Sequence, residues 1–300
     1  MLDYALLDAM AAVLRTGSFD KAAQQIGVTP SAISQRIKLL EERLGTSLIL
    51  RGQPCTATPA GRRLYRHVEE IGLMEHSLRS ELGALIPTGQ APTIRIAVNA
   101  DSLATWFLPA LTGIEGRLFD LILDDESNTA EWLRRGEVSA AVSTNAGPVQ
   151  GCGSRSLGAQ TYIATASPDF MRRWFAGGVD ENTLAEAPSI TFNTKDELQD
   201  RWLVETYGRR IARPSHWIPA SQGFVDGALA SLGWGMNPLS LIEPHLAARR
   251  LVPLRPGRPL HVPLFWHWSR AVESALNDIT ALVVKTARSS LWHRREEIGG

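Results

Sequence analysis

Apolar residues near the amino terminus recur every three to four positions, which is the period of an amphipathic helix. The first such segment predicts a helix over about residues 4–16 that ends near Gly17, and the second predicts a helix over Phe19–Ile26 capped by Ser18. Thr29 and Pro30 then begin a third helix. We expect its core side to consist of Ile33, Ile37, Leu40 and Leu44. Helices joined by short glycine-containing turns are typical of a helix-turn-helix.

A longer helical pattern runs from Thr58, a good N-cap followed by Pro59, to about Leu85. Its apolar residues follow a heptad repeat, interrupted by Glu75, and comprise Leu64, Val68, Ile71, Leu78, Leu82 and Leu85. This stripe could pack on its own domain. We favour a dimer seam, because a helix that would extend roughly 42 Å has few intrachain neighbours to cover it. Two prolines and a glycine within residues 86–92 predict a linker.

After residue 92, short apolar runs alternate with helical patterns. Strands are predicted over 93–98, 118–123 and 138–142, and helices over about 102–111 and 129–135. This alternation predicts a parallel α/β sheet, whose ligands bind at the carboxyl ends of the strands. A second run over about 162–264 predicts a sister lobe, with residues 264–268 and the last helix returning to the first lobe. Two lobes with a cleft between them are typical of ligand clamping.

The chain is therefore predicted to be α/β overall and to have three parts. Residues 1–58 are expected to form an all-α winged helix-turn-helix, residues 59–91 a long linker helix and hinge, and residues 92–300 a two-lobed α/β domain. Lobe one is expected over about 92–164 and 265–300, and lobe two over about 165–264.

Composition narrows the class of protein. Of the 300 residues, 44% are apolar and 21% charged, which is typical of a globular chain. No apolar run approaches the ~18–20 residues of a bilayer-spanning helix, and the first residues lack the basic segment of a signal peptide. Two cysteines cannot form a disulfide framework, so we expect a cytoplasmic protein without a membrane partner. The net charge is zero, but residues 1–66 carry nine Lys and Arg against five acids, which suggests a polyanion partner for this part.

The third helix has the side chains of a DNA-reading surface. Opposite its apolar side, and at its start, lie hydroxyl, amide and cationic groups: Thr29, Ser31, Ser34, Gln35, Arg36 and Lys38. Such groups hydrogen-bond base edges and phosphates in a major groove. The alternative is an ordinary solvated face, but no acid occurs between Asp20 and Glu41, where a solvated face usually mixes both signs. A short strand over 47–51 predicts a wing, with Arg51 directed at a phosphate.

These residues resemble the LysR-type transcriptional regulators. The pattern covers nearly all of residues 2–61 and includes Ser18-Phe19, Ala22-Ala23, Val28-Thr29, Ser31 to Ser34, Leu40-Glu41, Leu44-Gly45, Leu48, Arg51, Thr58 and Gly61. The resemblance implies that Ser31, Ser34, Gln35 and Lys38 contact bases and phosphates and that Arg51 is the wing arginine. It also implies a periplasmic-binding-protein-like effector domain and a tetramer, built as a dimer of dimers, that bends its operator. One departure is Pro54, where the family usually has a second wing arginine.

Polar side chains that could bind an effector follow the predicted strands. They are Asn99 and Ser102 after the first strand, Asp124 and Glu126 after the second, Thr144 after the third, and Ser221 and Phe224 at the start of a helix in lobe two. Alternatives remain, because Ser102 could simply cap its helix, the acidic run 124–126 could be a solvated turn, and Phe224 could belong to the core. Three consecutive acids at a strand end suit a cationic ligand.

Residues 97–106 and 133–138 resemble the ArgP/LysG subgroup of the family, and the likeness runs to about Trp268. The resemblance implies L-lysine or L-arginine as effector, with which the acidic run agrees, and control of amino-acid export or biosynthesis genes. The expected partners are double-stranded promoter or operator DNA, this effector and further copies of the chain in a dimer or tetramer. RNA polymerase is a further candidate, and no cofactor or metal is expected.

Two other functions are alternatives: an enzyme fused to a DNA-binding head, and an architectural DNA-binding protein. The sequence contains no G-x-S-x-G elbow, P-loop or G-x-G-x-x-G fingerprint. Its histidines show no zinc spacing, and we expect His261 and His267 to be structural. Cys55 lies in the wing and Cys152 in a glycine-rich turn, neither beside an evident histidine partner, so we expect no enzyme.

Overall fold

The computed structural model describes residues 2–82, 91–123 and 129–293. Contacts divide the chain into two compact units. The first comprises Met1–Ile94 with the short segments Gly116–Leu118 and Ala271–Ala275, and the second comprises the remaining residues. Within the described residues, no helix has both the length and the apolar character that crossing a bilayer requires.

The first unit begins with the three predicted helices, whose bounds are confirmed. They are α1 (Tyr4–Thr16), α2 (Phe19–Ile26) and α3 (Pro30–Leu44). The side chains of Ser18 and Thr29 accept the backbone N–H groups of Lys21 and Ala32, which fixes where α2 and α3 begin. Gly17 ends α1 with φ of 68°, a left-handed conformation that a residue with a Cβ seldom adopts.

The core of this unit lies where the apolar sides of the three helices meet. Its fully or almost fully buried members include Leu7, Met10, Val13, Ile33, Ile37 and Leu40. The prediction that Leu44 belongs to this core is wrong, because its side chain is 39% exposed. Leu44 is the last residue of α3, so it extends beyond the part of the helix that α1 and α2 cover.

The wing and the long helix complete the first unit. The wing strands β1 (Ile49–Leu50) and β2 (Thr56–Ala57) pair in antiparallel fashion, so the predicted strand over 47–51 is shorter than expected. Helix α4 (Pro59–Leu82) begins at Thr58, whose Oγ1 accepts the Gly61 N–H at 3.0 Å.

The heptad stripe of α4 has two environments. Leu64 and Val68 pack against the core of the three helices, as the intrachain alternative predicts. Leu78 is 51% exposed, as expected of a residue that a second chain could cover. The side chain of Leu82 and the whole of Leu85 lie outside the described residues. The dimer seam therefore stays a prediction.

The α/β domain that follows residue 92 is built on one seven-stranded sheet in the order β10-β6-β11-β5-β3-β4, with β9 also paired to β6. These strands are β3 (Thr93–Val98), β4 (Leu118–Leu123), β5 (Ala140–Ser143), β6 (Cys152–Ala166), β9 (Gly235–Pro238), β10 (Val252–Pro253) and β11 (Leu260–Ser269). A separate parallel pair is formed by β7 (Ser189–Thr191) and β8 (Ser215–Trp217). The large sheet is mixed rather than parallel throughout. β3 and β5 are parallel as predicted, whereas β11 returns in the opposite direction and pairs antiparallel with both β5 and β6.

Two lobes flank the long strands β6 and β11. The first contains β3, β4, β5 and the helices α5 (Ala100–Ser102), α6 (Leu108–Leu111) and α7 (Thr129–Arg135), with a π-helical turn over Leu103–Phe107. The second contains β7 to β10 and the helices α8 (Pro168–Trp174), α9 (Glu181–Glu186), α10 (Leu198–Tyr207), α11 (Ser221–Leu229) and α12 (Leu239–Ala247). Helix α13 (Glu273–Ser290) follows β11. The carboxyl-terminal half of β6 pairs with β9, so β6 passes from one lobe into the other.

Two glycines of α4 allow a matched test of this packing. A Cβ on Gly61 would lie 2.0 Å from the Leu48 carbonyl oxygen, whereas a Cβ on Gly72 would meet no atom within 4 Å. Gly61→Ala is expected to lower the free energy of unfolding by about 1–3 kcal/mol, because backbone must move. Gly72→Ala should raise it by up to about 1 kcal/mol, because alanine favours a helix. Thermal and denaturant unfolding of the full chain would check both, and equal effects would contradict the close approach of α4 to Leu48.

Candidate functional site

Four of the predicted DNA-reading residues lie along one side of α3: Ser31, Ser34, Gln35 and Lys38. Arg36 lies between that side and the buried side of the helix. Ser31, Gln35 and Lys38 are exposed, and Ser34 and Arg36 are half-buried. Thr29 is also exposed, and its Oγ1 caps the helix and lies 2.9 Å from the Ser31 hydroxyl. Because Ile33 and Ile37 are buried on the opposite side, the polar side is held outward.

The cation Lys38 has an acidic neighbour one turn away. Its Nζ lies 3.7 Å from a Glu42 carboxylate oxygen, and both side chains are largely exposed. A pair of this kind contributes little free energy in water. The ammonium group can therefore leave Glu42 for a DNA phosphate at small cost.

The wing arginine is positioned by an aromatic ring. The Arg51 guanidinium lies over the Phe19 ring, 5.2 Å from its centroid, at the start of α2. Pro54, the departure from the family pattern, packs at the α1–α2 turn, where a Cβ on Gly17 would lie 2.8 Å from the Pro54 Cβ. The adjacent Cys55 N–H donates to the Gly17 carbonyl at 2.9 Å. This segment therefore contacts the helical core through apolar and backbone groups.

A cavity of about 330 Å³ lies between the two lobes of the α/β domain. The first lobe contributes Asn99, Ala100, Asp101 and Thr144 to its lining. The second lobe contributes Phe192, Asn193, Lys195, Asp196, Glu197, Leu198, Arg201, Phe224, Met236 and Pro238. The volume is at the small end of the range for small-molecule sites, roughly 300–1,000 Å³.

Three of the predicted effector residues, Asn99, Thr144 and Phe224, line this cavity. Asn99 is also a helix cap, because its Oδ1 accepts the Ser102 N–H at 2.7 Å. Ser102 itself is 1% exposed, and its Oγ has no hydrogen-bond partner among the described residues. Ser221 is not part of the cavity lining, but its hydroxyl donates a hydrogen bond to Asp101, which is. The predicted residues Asp124 and Glu126 lie outside the described part of the chain.

Asp101, which the sequence reasoning missed, accepts hydrogen bonds from the second lobe and from the strand that runs between the lobes. The Ser221 hydroxyl at the start of α11 donates to its Oδ1 at 2.5 Å, and the Tyr162 hydroxyl of β6 donates to its Oδ2 at 2.7 Å. Burial raises the pKa of Asp101 above its usual value; the two hydroxyl bonds lower it, and the negative charge of Asp196 raises it further. A signal for Asp101 was present, because it lies between Asn99 and Ser102 at a strand end.

The other charges of the cavity come from the segment that joins β7 to α10 and from the first turn of α10. Lys195, Asp196, Glu197 and Arg201 bring two cations and two acids to the second lobe's side. The Asp196 carboxylate accepts the backbone N–H groups of Phe192 and Leu198 at 2.9 and 3.0 Å, which holds the segment in place. The sequence signal was a run of three charged residues, 195–197, before a helix. Because this run is almost a hundred residues from Asp101, the sequence did not show that both line one cavity.

His261, His267 and Cys152 have surroundings that are typical of structural rather than catalytic residues. His261 stacks on Trp292 with ring centroids 4.1 Å apart, and His267 is buried with its Nε2 3.0 Å from the Asn145 carbonyl oxygen. Burial raises the pKa of the Cys152 thiol, which disfavours the nucleophilic thiolate. Among the described residues, no three histidine, cysteine or acidic side chains are grouped closely enough to hold a metal.

Two protein-family models match the chain. The one described as "Bacterial regulatory helix-turn-helix protein, lysR family" matches residues 4–62, and the one described as "LysR substrate binding domain" matches residues 87–287. The first range contains the three helices and the wing, and the second contains both lobes and the cavity.

Full-length relatives show the same likeness. The HTH-type transcriptional regulator ArgP of Pseudomonas aeruginosa is 41% identical over 294 residues, which are 97% of this chain and 98% of that protein. The regulator LysG of Mycobacterium tuberculosis is 39% identical over 295 residues, 98% of this chain and 96% of that protein.

Two solved structures are similar over nearly the whole chain. ArgP from Mycobacterium tuberculosis has a TM-score of 0.80 at 39% identity, covering 98% of this chain and 100% of that one. Full-length LysG from Corynebacterium glutamicum with bound effector Arg has a TM-score of 0.67 at 32% identity, covering 97% and 99%.

The raised pKa of Asp101 predicts how the stability of the folded chain changes with pH. The folded chain keeps this proton at a pH at which the unfolded chain, with an ordinary pKa of 3.8, has lost it. Stability therefore falls as the pH rises through this window and stays lower above it. Asp101→Asn, which carries no charge, is expected to raise the unfolding temperature at neutral pH by about 2–4 °C.

Asp226→Asn is the control for that comparison. Asp226 is exposed in α11 and bonds Gln222 at 3.1 Å, so its replacement should leave the unfolding temperature nearly unchanged. Scanning calorimetry over a range of pH would measure both variants. A lower unfolding temperature for Asp101→Asn at neutral pH would contradict the cost assigned to the ionised carboxylate.

Proposed function

Because this chain belongs to the LysR family of bacterial transcriptional regulators, we propose that it reads its operator with α3 and the wing and responds to a basic amino acid bound between its lobes. The chain is a transcriptional regulator of the ArgP and LysG type and not an enzyme. The operator contacts, the effector and the target genes belong to the proposal.

The proposed DNA contacts follow from the chemistry of α3. Gln35 is exposed in the first half of the helix, where an amide can pair with the two polar atoms of an adenine edge. Ser31, Ser34 and Lys38 would contact neighbouring bases and phosphates, with Thr29 and Arg36 beside them. Arg51, stacked over Phe19, would hold a backbone phosphate on the wing side.

Two copies of the chain would bind together. The exposed Leu78 of α4 is a candidate member of a seam between two α4 helices. Two heads joined in this way would dock on major-groove half-sites about 34 Å apart or a multiple of that distance. A dimer of such dimers would make the tetramer that the family resemblance implies.

The observation that carries the effector proposal is the Asp101 carboxylate in the cavity. A carboxylate that is partly withdrawn from water attracts an ammonium or guanidinium group strongly. Lys195 and Arg201 on the other lobe's side supply positive charge for the ligand's own carboxylate. An amino acid with a cationic side chain fits both kinds of group. The Arg bound to the LysG of Corynebacterium glutamicum supports the same class of ligand.

We expect the regulator to control amino-acid export or biosynthesis genes in the bacterial cytoplasm. A basic amino acid that binds one arrangement of the lobes more tightly would shift the population toward that arrangement. The shift would change the contacts between copies, and with them the bend or register on DNA and the access of RNA polymerase to the promoter.

The DNA contacts are tested with a pair of variants. Gln35→Ala should weaken operator binding by about 1–3 kcal/mol while binding to random DNA changes little, because only a base contact is lost. Arg51→Ala should weaken operator and random DNA alike and lower the slope of log affinity against log salt by about one. Fluorescence anisotropy at several salt concentrations measures both quantities. Equal losses on both DNAs for Gln35→Ala would remove its proposed role.

The effector is tested by titration. All nine tryptophans lie beyond residue 105, so their fluorescence reports on the effector domain without a contribution from a tryptophan in the DNA-binding head. L-Arginine or L-lysine is expected to change the fluorescence in a saturable way. L-Histidine, the D-isomers and the neutral analogue L-citrulline are the comparisons. Citrulline binding as tightly as arginine would contradict the role of ligand charge.

A further inference from the structure

Two residues that are distant in sequence from Asp101 meet at its carboxylate. Tyr162 is 61 residues away along the chain and Ser221 is 120 residues away. Asp101 belongs to α5 of the first lobe and Ser221 to α11 of the second. Tyr162 lies in β6, where it pairs with Pro238 of β9 on the second lobe's side. One carboxylate therefore connects a helix of the first lobe to α11 of the second lobe and to β6, the strand that runs between the lobes.

The two hydroxyl groups favour the ionised carboxylate and leave room for a ligand. Each donates to a different oxygen, and an ionised carboxylate has about four acceptor positions, so about two remain for a cation. A hydrogen bond donated to the charged form stabilises that form against protonation. Tyr162 is 2% exposed, so water does not readily replace its hydroxyl.

We propose that Tyr162 and Ser221 are positioning residues that hold Asp101 ionised for the effector's cationic group, so that a proton and the effector compete for the same carboxylate. This inference rests on the proposed function, because it takes a basic amino acid as the ligand. The effector's affinity then depends on pH, and removing either hydroxyl moves that dependence along the pH axis rather than only weakening binding.

The charges around Asp101 agree with this competition. The β7–α10 segment and the first turn of α10 present Lys195, Asp196, Glu197 and Arg201 to the same cavity. Asp196 accepts two backbone N–H groups, and Glu197 pairs with Arg210 at 2.9 Å. Burial and Asp196 raise the pKa of Asp101. In α11, the acid Asp226 is exposed and bonds Gln222, outside the cavity lining.

The sign of the effect follows from the competition. Below the raised pKa of Asp101 the free protein holds a proton that a cationic ligand must displace, so binding weakens about tenfold for each pH unit. Above that pKa the affinity is independent of pH. Loss of the Tyr162 hydroxyl raises the pKa further, by about one unit for one hydrogen bond to a charged group.

The experiment is calorimetric titration of the full chain with L-arginine over the widest pH range in which the folded chain is stable, in two buffers of different ionisation heat at each pH. The proteins are the wild type, Tyr162→Phe, Ser221→Ala, Asp101→Asn and the control Tyr207→Phe, whose hydroxyl donates to Val179 in the second lobe outside the cavity lining. Wild type should bind more weakly as the pH falls and release a proton on binding.

Tyr162→Phe should bind about tenfold more weakly than wild type at low pH and nearly as well at high pH. Ser221→Ala should shift in the same direction, and Asp101→Asn should bind weakly with no pH dependence. Tyr207→Phe should follow wild type. A Tyr162→Phe loss of equal size at every pH would mean a merely structural role and would overturn the inference. So would a pH-independent affinity of the wild type.

A ligand-free measurement separates this inference from the proposed function. The difference in unfolding temperature between each protein and Asp101→Asn reports the ionisation of Asp101 alone. In wild type and Tyr207→Phe this difference should change at the same pH, and in Tyr162→Phe at a higher pH. If L-arginine fails to bind at any pH, the proposed effector is wrong, and this shift still decides the positioning role. Without the shift, the positioning role is wrong.

Discussion

A carboxylate that leaves water is stable in its charged form only when hydrogen bonds replace the water it has lost, and the effector domain meets this constraint at Asp101. Its two bonds come from the Tyr162 and Ser221 hydroxyls, which stand on different elements of the fold. The first lobe supplies the charge, and the hydroxyls that stabilise it come from α11 of the second lobe and from β6. The position of α11 relative to the first lobe and the ionisation of Asp101 are therefore energetically coupled.

The cavity combines charged groups of both signs with apolar walls. The first lobe contributes one partly buried carboxylate, that of Asp101, and the second lobe contributes two cations and two acids from one short segment. That segment is held by its own Asp196, which bonds backbone N–H groups on either side of it. Apolar residues such as Phe224 and Met236 complete the lining, so the polar contacts are made where little water competes.

The DNA-binding head depends instead on helix caps and on the burial of apolar side chains. Ser18, Thr29 and Thr58 cap the helices they precede, so each helix begins at a defined residue. Burial of Ile33 and Ile37 then sets the rotation of α3 and presents its polar side. The wing is attached by the Arg51 guanidinium over the Phe19 ring and by the Cys55 N–H, which donates to the Gly17 carbonyl. These contacts join the wing to the α1–α2 turn and the start of α2.

Local sequence patterns were sufficient to predict the features that depend on neighbours within one helical turn. Caps, glycine ends and the apolar period predicted α1, α2 and α3 at their observed bounds and the polar side of α3. The alternation of strand and helix patterns added the two-lobed domain, and the ends of the predicted strands and the start of one helix added three residues that line its cavity. The folded structure was needed to show that Leu44 is exposed, that β11 makes the sheet mixed, and that Asp101 meets Tyr162 and Ser221. These depend on contacts between residues tens to more than a hundred positions apart, and no local period or cap encodes which distant groups the folded chain brings together.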